Sequence, residues 1–190
     1  MIKVRQIIDT HYPQYAWYGR WPASECAAFN TVAGEWGIFG NFSPTPLTIE
    51  GVEFCCAEQL FQMMKFRHPE ALRDIYAAKG QTIKMKAKKW GKTHLREDWP
   101  QMLVDALKFC LMKKYEQSAA FREALTRSQG LHIVEDETTR RPSSYGMQRQ
   151  GDDFVGANLM GRLLTELRDN GTLEYHLPED ALTFIERLKP

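Results

Sequence analysis

Apolar positions return along this chain at two spacings. From residue 57 onward they mostly recur every three or four residues, the period of a helix that buries one face. In "EDWPQMLVDALKFCLMKKYEQ" the stripe is Met102, Leu103, Ala106, Leu107, Cys110 and Leu111, which predicts a long helix. The stretch "AEQLFQMMKF" predicts a helix over 57–67 that stops before His68-Pro69. Further helices are predicted over about 69–78 with Pro69 in its first turn, 81–90, 118–128, and 158–169 ending at Asn170-Gly171. A terminal helix is predicted after Leu177-Pro178. Two β-prone runs meet at Glu50-Gly51 in "LTIEGVEFCC" and read as a hairpin, and "LHIVE" reads as a short strand before a loop over 136–156. Residues 1–46 read as loop-rich and aromatic, with Gly and Pro at turn positions. The pattern predicts a mainly α fold of about seven helices plus a short hairpin and strand. No linker or repeat divides it, so a single domain over 1–190 is expected.

Composition adds constraints. Hydrophobic residues make up 43% and charged residues 26%, an ordinary globular balance. The net charge of +1 argues against a general polyanion binder, so any nucleic-acid contact has to be local. Four cysteines occur without zinc-ligand spacing, so no metal site is expected. With neither a signal-like N-terminus nor a run of about 18 apolar residues, a cytoplasmic protein without a membrane segment is expected.

Three places carry candidate chemistry. In the 57–66 helix, Glu58, Gln62 and Lys65 fall on one polar line beside Phe61 and Met64. Either they satisfy neighbours and solvent, or they line a pocket wall where a fixed carboxylate stabilises a developing cation. The loop 136–156 holds Arg140, Arg141 and Arg149, suited to phosphates, and runs into "GANLMG". There Asn158 is placed as the N-cap of a helix whose N-terminus accepts an anion. The third place is "KMKAKKWGKTHLREDW": its lysines are a solvated face or a phosphate contact, and Trp99 either staples the helix start or presents a ring to a base.

The segments "GNFSP", "AEQLFQMMKF", "LREDW", "IVE" and "GANLMGRLL", in this order and spacing, resemble the YbiA-like or NADAR family over about residues 36–170. An aromatic N-terminal extension (1–35) and a C-terminal helix (171–190) flank the match. The resemblance implies a mainly α fold and N-glycosidase activity, with no metal or cofactor needed. Substrates implied are ribosylamino-pyrimidine phosphates of riboflavin synthesis, or ADP-ribose attached to guanine, including ADP-ribosylated nucleic acid. Carried over by motif position, the catalytic residues are Glu58 and Trp99. Substrate-binding positions are Phe42, Gln62, Lys65, Phe66, Lys92, Arg96, Tyr145, Gly146, Gly156 and Asn158, and Gly161 also matches the motif. The family's Asp before a Trp-Gly pair has no counterpart ahead of Tyr145-Gly146. Glu135, Asp136 or Asp153 are the stand-ins by position, with Glu137 and Asp152 beside them. The alternative is a binding module for ADP-ribose or NAD that has lost catalysis, or an interaction partner that regulates a toxin. Oligomeric state is not indicated.

Overall fold

The computed structural model describes residues 3–189. Its contacts fall into two compact units. The first comprises 41–117 and 174–189, and the second 3–40 and 118–173. Among the described residues the chain has seven α-helices and three small sheets, mainly α as expected.

The first unit begins with the predicted hairpin, β3 (Leu47–Ile49) and β4 (Val52–Phe54). Glu50 and Gly51 both take positive φ at its turn, as a two-residue connection requires. The helices α2 (Ala57–Met63), α3 (Pro69–Tyr76), α4 (Gln81–Trp90) and α5 (Trp99–Gln117) follow. Helix α2 packs against the other three and is buried along its whole length. Leu60, Met63 and Met64 are buried there, as are Ile75, Ile83, Met102 and Leu107 on the three helices it packs against. Gln59 ties the unit together, accepting from Cys55 N at 2.8 Å and donating to Tyr76 O at 2.8 Å. Helix α2 ends at Met63 rather than 67, because Phe66 bridges to Leu95 and Arg96 N donates to Lys65 O at 3.0 Å. The expected terminal helix is a single 3-10 stretch, Thr183–Arg187, that seats Phe184 and Ile185 in the core.

The second unit departs further from expectation. The N-terminal stretch read as loop contains α1 (Val4–His11), β1 (Gly19–Pro22) and β2 (Cys26–Phe29). The stretch 136–156 is not one long loop either, since β6 (Met147–Gln150) and β7 (Asp153–Gly156) form a hairpin inside it. Strand β1 joins β7 antiparallel in the order β1-β7-β6, and β2 runs parallel to β5 (His132–Glu135). These strands owe their existence to distant partners: Trp21 and Cys26 pack on Val134, Met147 and Phe154. Helices α6 (Ala119–Arg127) and α7 (Leu159–Asn170) complete the unit, with α7 against β5. Ser118 caps α6, its hydroxyl accepting from Phe121 N.

Candidate active site

The polar line on α2 lies in a buried setting. Glu58 is 7% exposed, and its backbone N–H donates to Asn41 O at 2.8 Å, anchoring the "GNFSP" segment to the helix start. Gln62 Nε2 donates to Glu58 Oε1 at 2.7 Å, which fixes the direction of the carboxylate. One turn further on, Lys65 is half-buried with its ammonium 4.8 Å from the Phe61 ring centre and 5.2 Å from that of Trp99. Phe61 and Trp99 meet edge to face at 5.3 Å. Desolvation pulls the Lys65 ammonium down to about 8, and the Glu58 charge opposes that shift. Carboxylate, amide, ammonium and two rings are therefore assembled by α2, the turn just past its end that carries Lys65, and the first turn of α5.

Several expected contacts change character. Trp99 is 4% exposed, so its indole is a wall supporting Lys65 rather than an open plate for stacking. Phe66 is a core side chain and Phe42 is half-buried. Arg96 is committed elsewhere: its buried guanidinium grips Asp98 with Nε and Nη2, at 2.6 and 2.7 Å, and Nη2 reaches Asp180 at 2.9 Å. That grip holds the Asp98 carboxyl down to about 2. Lys92 is exposed, as are Lys84, Lys88 and Lys89 along α4.

Two residues that the sequence reading passed over belong to this unit's interior. Asn41 Oδ1 is buried with no hydrogen-bond partner, an acceptor beside the start of α2. Its signal was its place inside "GNFSP", two residues before Ser43. Lys114 is fully buried, donates to Ser43 Oγ at 2.7 Å, and is pulled down to about 7 by desolvation. It continues the apolar stripe of α5 one turn beyond Cys110 and Leu111, which was its signal. Burial pushes the Cys56 thiol up to about 12 and the Cys110 thiol well above its usual range, so neither supplies a thiolate near Glu58.

The second unit holds the remaining predicted residues, where they knit backbone to backbone. Asn158 is not a side-chain cap. It takes a left-handed conformation, donates Nδ2 to Ile133 O at 2.8 Å, and accepts from Glu135 N at Oδ1, 3.2 Å away. The first amides of α7 are already satisfied: Leu159 N donates to Ser144 O and Met160 N to Tyr145 O. The anion site expected at this helix start is therefore closed. Gly161 is required because a Cβ there would lie 2.0 Å from Ile133 O, and Gly146 because one would lie 2.1 Å from Glu135 O. Gly156 passes Gly146 O less tightly, where a Cβ would sit 2.9 Å from it, while Tyr145 is half-buried.

The stand-in acids divide in the same way. Asp153 pairs with Arg20 at 2.7 Å across β1 and β7, and Asp136 accepts from Thr138 N at 2.8 Å. Glu135 ends β5 with its carboxylate 3.6 Å from Arg140. Glu137, 4% exposed, accepts from Ser143 N at 2.9 Å and from the Ser143 hydroxyl. Of the loop arginines, Arg149 donates to Gly151 O and Arg140 to Asp136 O.

A buried, amide-oriented carboxylate with a cation beside it fits acid–base or electrostatic catalysis at a carbon that turns positive. The NADAR domain family model matches residues 28–170, and the chain belongs to that family. By class it is an N-glycosyl hydrolase, as its relatives' names attest. N-glycosidase YbiA of Shigella boydii is 25% identical over 146 residues, covering 77% of this chain and 88% of that protein. An N-glycosidase of Nostoc punctiforme is 25% identical over 135 residues, covering 70% of this chain and 86% of its own length. A riboflavin biosynthesis protein of Vibrio vulnificus is likewise 25% identical, over 80% of this chain but only 40% of its own length. Among solved structures, the NMR structure of YbiA from E. coli superposes with a TM-score of 0.62 at 26% identity, covering 81% of this chain and 90% of that one. No helix among the described residues is long and apolar enough to cross a membrane.

Proposed function

We propose that this enzyme hydrolyses the bond between a ribose anomeric carbon and a nitrogen in a ribose-phosphate or ADP-ribose conjugate, with Glu58 as the principal carboxylate. The observation that carries the reading is the Glu58 carboxylate, nearly excluded from water, with one oxygen held by Gln62 and the Lys65 ammonium on the next turn. As the C–N bond lengthens, its electron pair leaves with the nitrogen and positive charge grows at the sugar carbon. Glu58 stabilises that charge and orients a water, whose hydroxyl joins the carbon while its proton goes to the leaving nitrogen. Losing such a partner typically costs about 3–4 kcal/mol in barrier. Lys65, backed by Phe61 and Trp99, is the cation for a substrate phosphate, and Asn41 Oδ1 is an acceptor for a ribose hydroxyl. Four free cysteines support a reducing, cytoplasmic setting. The lysines exposed on α4 support local contact with ADP-ribosylated nucleic acid.

The test is mass spectrometry of products after incubation with ADP-ribosylated guanosine, the same adduct in single-stranded DNA, and a ribosylamino-pyrimidine phosphate. Release of free base or amine from at least one, lost in Glu58→Gln, is expected. ADP-ribose binding without turnover of any of the three at stoichiometric enzyme would overturn the reading in favour of a binding module.

A further inference from the structure

Trp17 and Trp21 precede the stretch that the family model matches, and the proposed hydrolysis does not use them. They help to wall a cavity of about 350 Å³ within the second unit, together with His132, Arg162, Glu166 and Asp169. We propose that this cavity is a binding site for a purine nucleoside, formed by residues separate from the Glu58 cluster.

Size sets the first limit. Ligand sites span about 300–1,000 Å³, so this one suits a single small molecule and not a dinucleotide. The walls favour a flat ring. Trp21 stacks on His132 at 4.9 Å and 20°, and Trp17 meets Trp21 edge-on at 6.2 Å. Trp17 is 54% exposed, an unusual state for an indole that borders a cavity.

Hydrogen bonding sets the next limit. The Arg162 guanidinium lies 3.3 Å from the Trp17 ring centre, and its Nη2 donates to Trp17 O at 2.6 Å. Its Nε and Nη1 are buried without an acceptor. A small rotation of the guanidinium would let a ligand oxygen or ring nitrogen satisfy both donors, and leaving such donors unmade is costly. Glu166, which already accepts from the Tyr15 hydroxyl at 2.7 Å, and Asp169, paired with Arg168 at 2.7 Å, add carboxylate oxygens to the wall, and a carboxylate has lone pairs for more than one donor. Arg168 neutralises Asp169, which leaves Arg162 and Glu166 in balance, so a ligand without net charge is favoured over a phosphate-rich one. What remains is a neutral, flat molecule with both donors and acceptors. A bicyclic base covers an indole more fully than a single ring, which selects a purine.

Calorimetry on the full chain tests this independently of the hydrolase reading. Adenosine is expected to bind saturably, with uridine and ATP each weaker by about tenfold or more. Trp17→Ala and Arg162→Lys, each checked for a native circular dichroism spectrum, are expected to weaken adenosine about ten- to hundredfold. Glu58→Gln is expected to bind adenosine as the natural protein does. Absent saturation by adenosine, or tighter binding of ATP than of adenosine, would overturn the proposal. So would adenosine binding that survives Trp17→Ala but disappears with Glu58→Gln.

Discussion

Two carboxylates in this protein are almost equally buried, and their surroundings make them opposites. Glu58 on α2 is 7% exposed and Glu137, just past β5, is 4% exposed. Glu137 spends both oxygens on one residue, accepting from the backbone N–H and the hydroxyl of Ser143. Its own backbone joins in, with N donating to Met147 O and O accepting from Arg140 N. Glu58 gives one oxygen to Gln62, and among the described residues no donor is bonded to the other. Burial alone therefore does not mark a catalytic acid. What differs is whether lone pairs are left over once the fold has been satisfied.

The largest expected effect is at the uncommitted carboxylate. Glu58→Gln keeps shape and the neighbouring amide but removes the charge, so kcat should fall about 10²–10³-fold with thermal stability nearly unchanged. Single-turnover kinetics measure it, and full activity in that variant would erase the contrast. Glu137→Gln should do the reverse. Turnover per folded molecule should hold, while stability falls by about 1–3 kcal/mol, read from the denaturation midpoint. A loss of turnover with unchanged stability would make Glu137 the functional acid instead.

Lys65 gives the comparison a pH axis. Its folded-state value is depressed to about 8 from the usual 10.5, so the ammonium proposed to meet a substrate phosphate is present below pH 8 and lost above it. The profile of kcat/KM should show an alkaline limb near pH 8, dropping up to tenfold per further unit. In Lys65→Arg the limb should vanish below about pH 10, since guanidinium stays charged there. The same depression has a stability consequence. The unfolded lysine keeps its proton up to 10.5 while the folded one releases it from about 8, so Lys65 adds to stability as pH rises through that window.

The sequence made one side of this comparison visible and hid the other. Helices α3, α4, α5 and α7 declare themselves through local periodicity, and Glu58 and Gln62 follow from spacing on one helix, with Lys65 just past its end. Strand β1 could not be read, because what makes "GRWP" a strand is pairing with Gly156 through Asp153, more than 130 residues away. Asn158 looked like a cap because Asn before a helix usually is one, yet its amide reaches back to Ile133 and Glu135. Arg96 looked like a substrate contact because its second partner, Asp180, comes from the far end of the chain. Local chemistry was legible, whereas commitment of a polar group to a distant one was not.

The smallest expected effect concerns what holds Glu58 in place. Gln62 Nε2 donates to Glu58 Oε1 at 2.7 Å inside a buried helix, a bond to a charged group that sets the direction of the second oxygen. Removing it in Gln62→Ala frees the carboxylate to turn and opens a small void, without touching the charge itself. The barrier should rise by about 1 kcal/mol, three- to tenfold in kcat, with KM little changed, because orientation matters most as the sugar carbon turns positive. Gln62→Glu separates the two contributions. It restores the side-chain volume but sets a second carboxylate against the first, so it should be slower than Gln62→Ala even though it fills the void. If Gln62→Glu were instead as fast as the natural protein, Glu58 would need neither the amide nor an isolated charge, and its distinction from Glu137 would rest on burial alone.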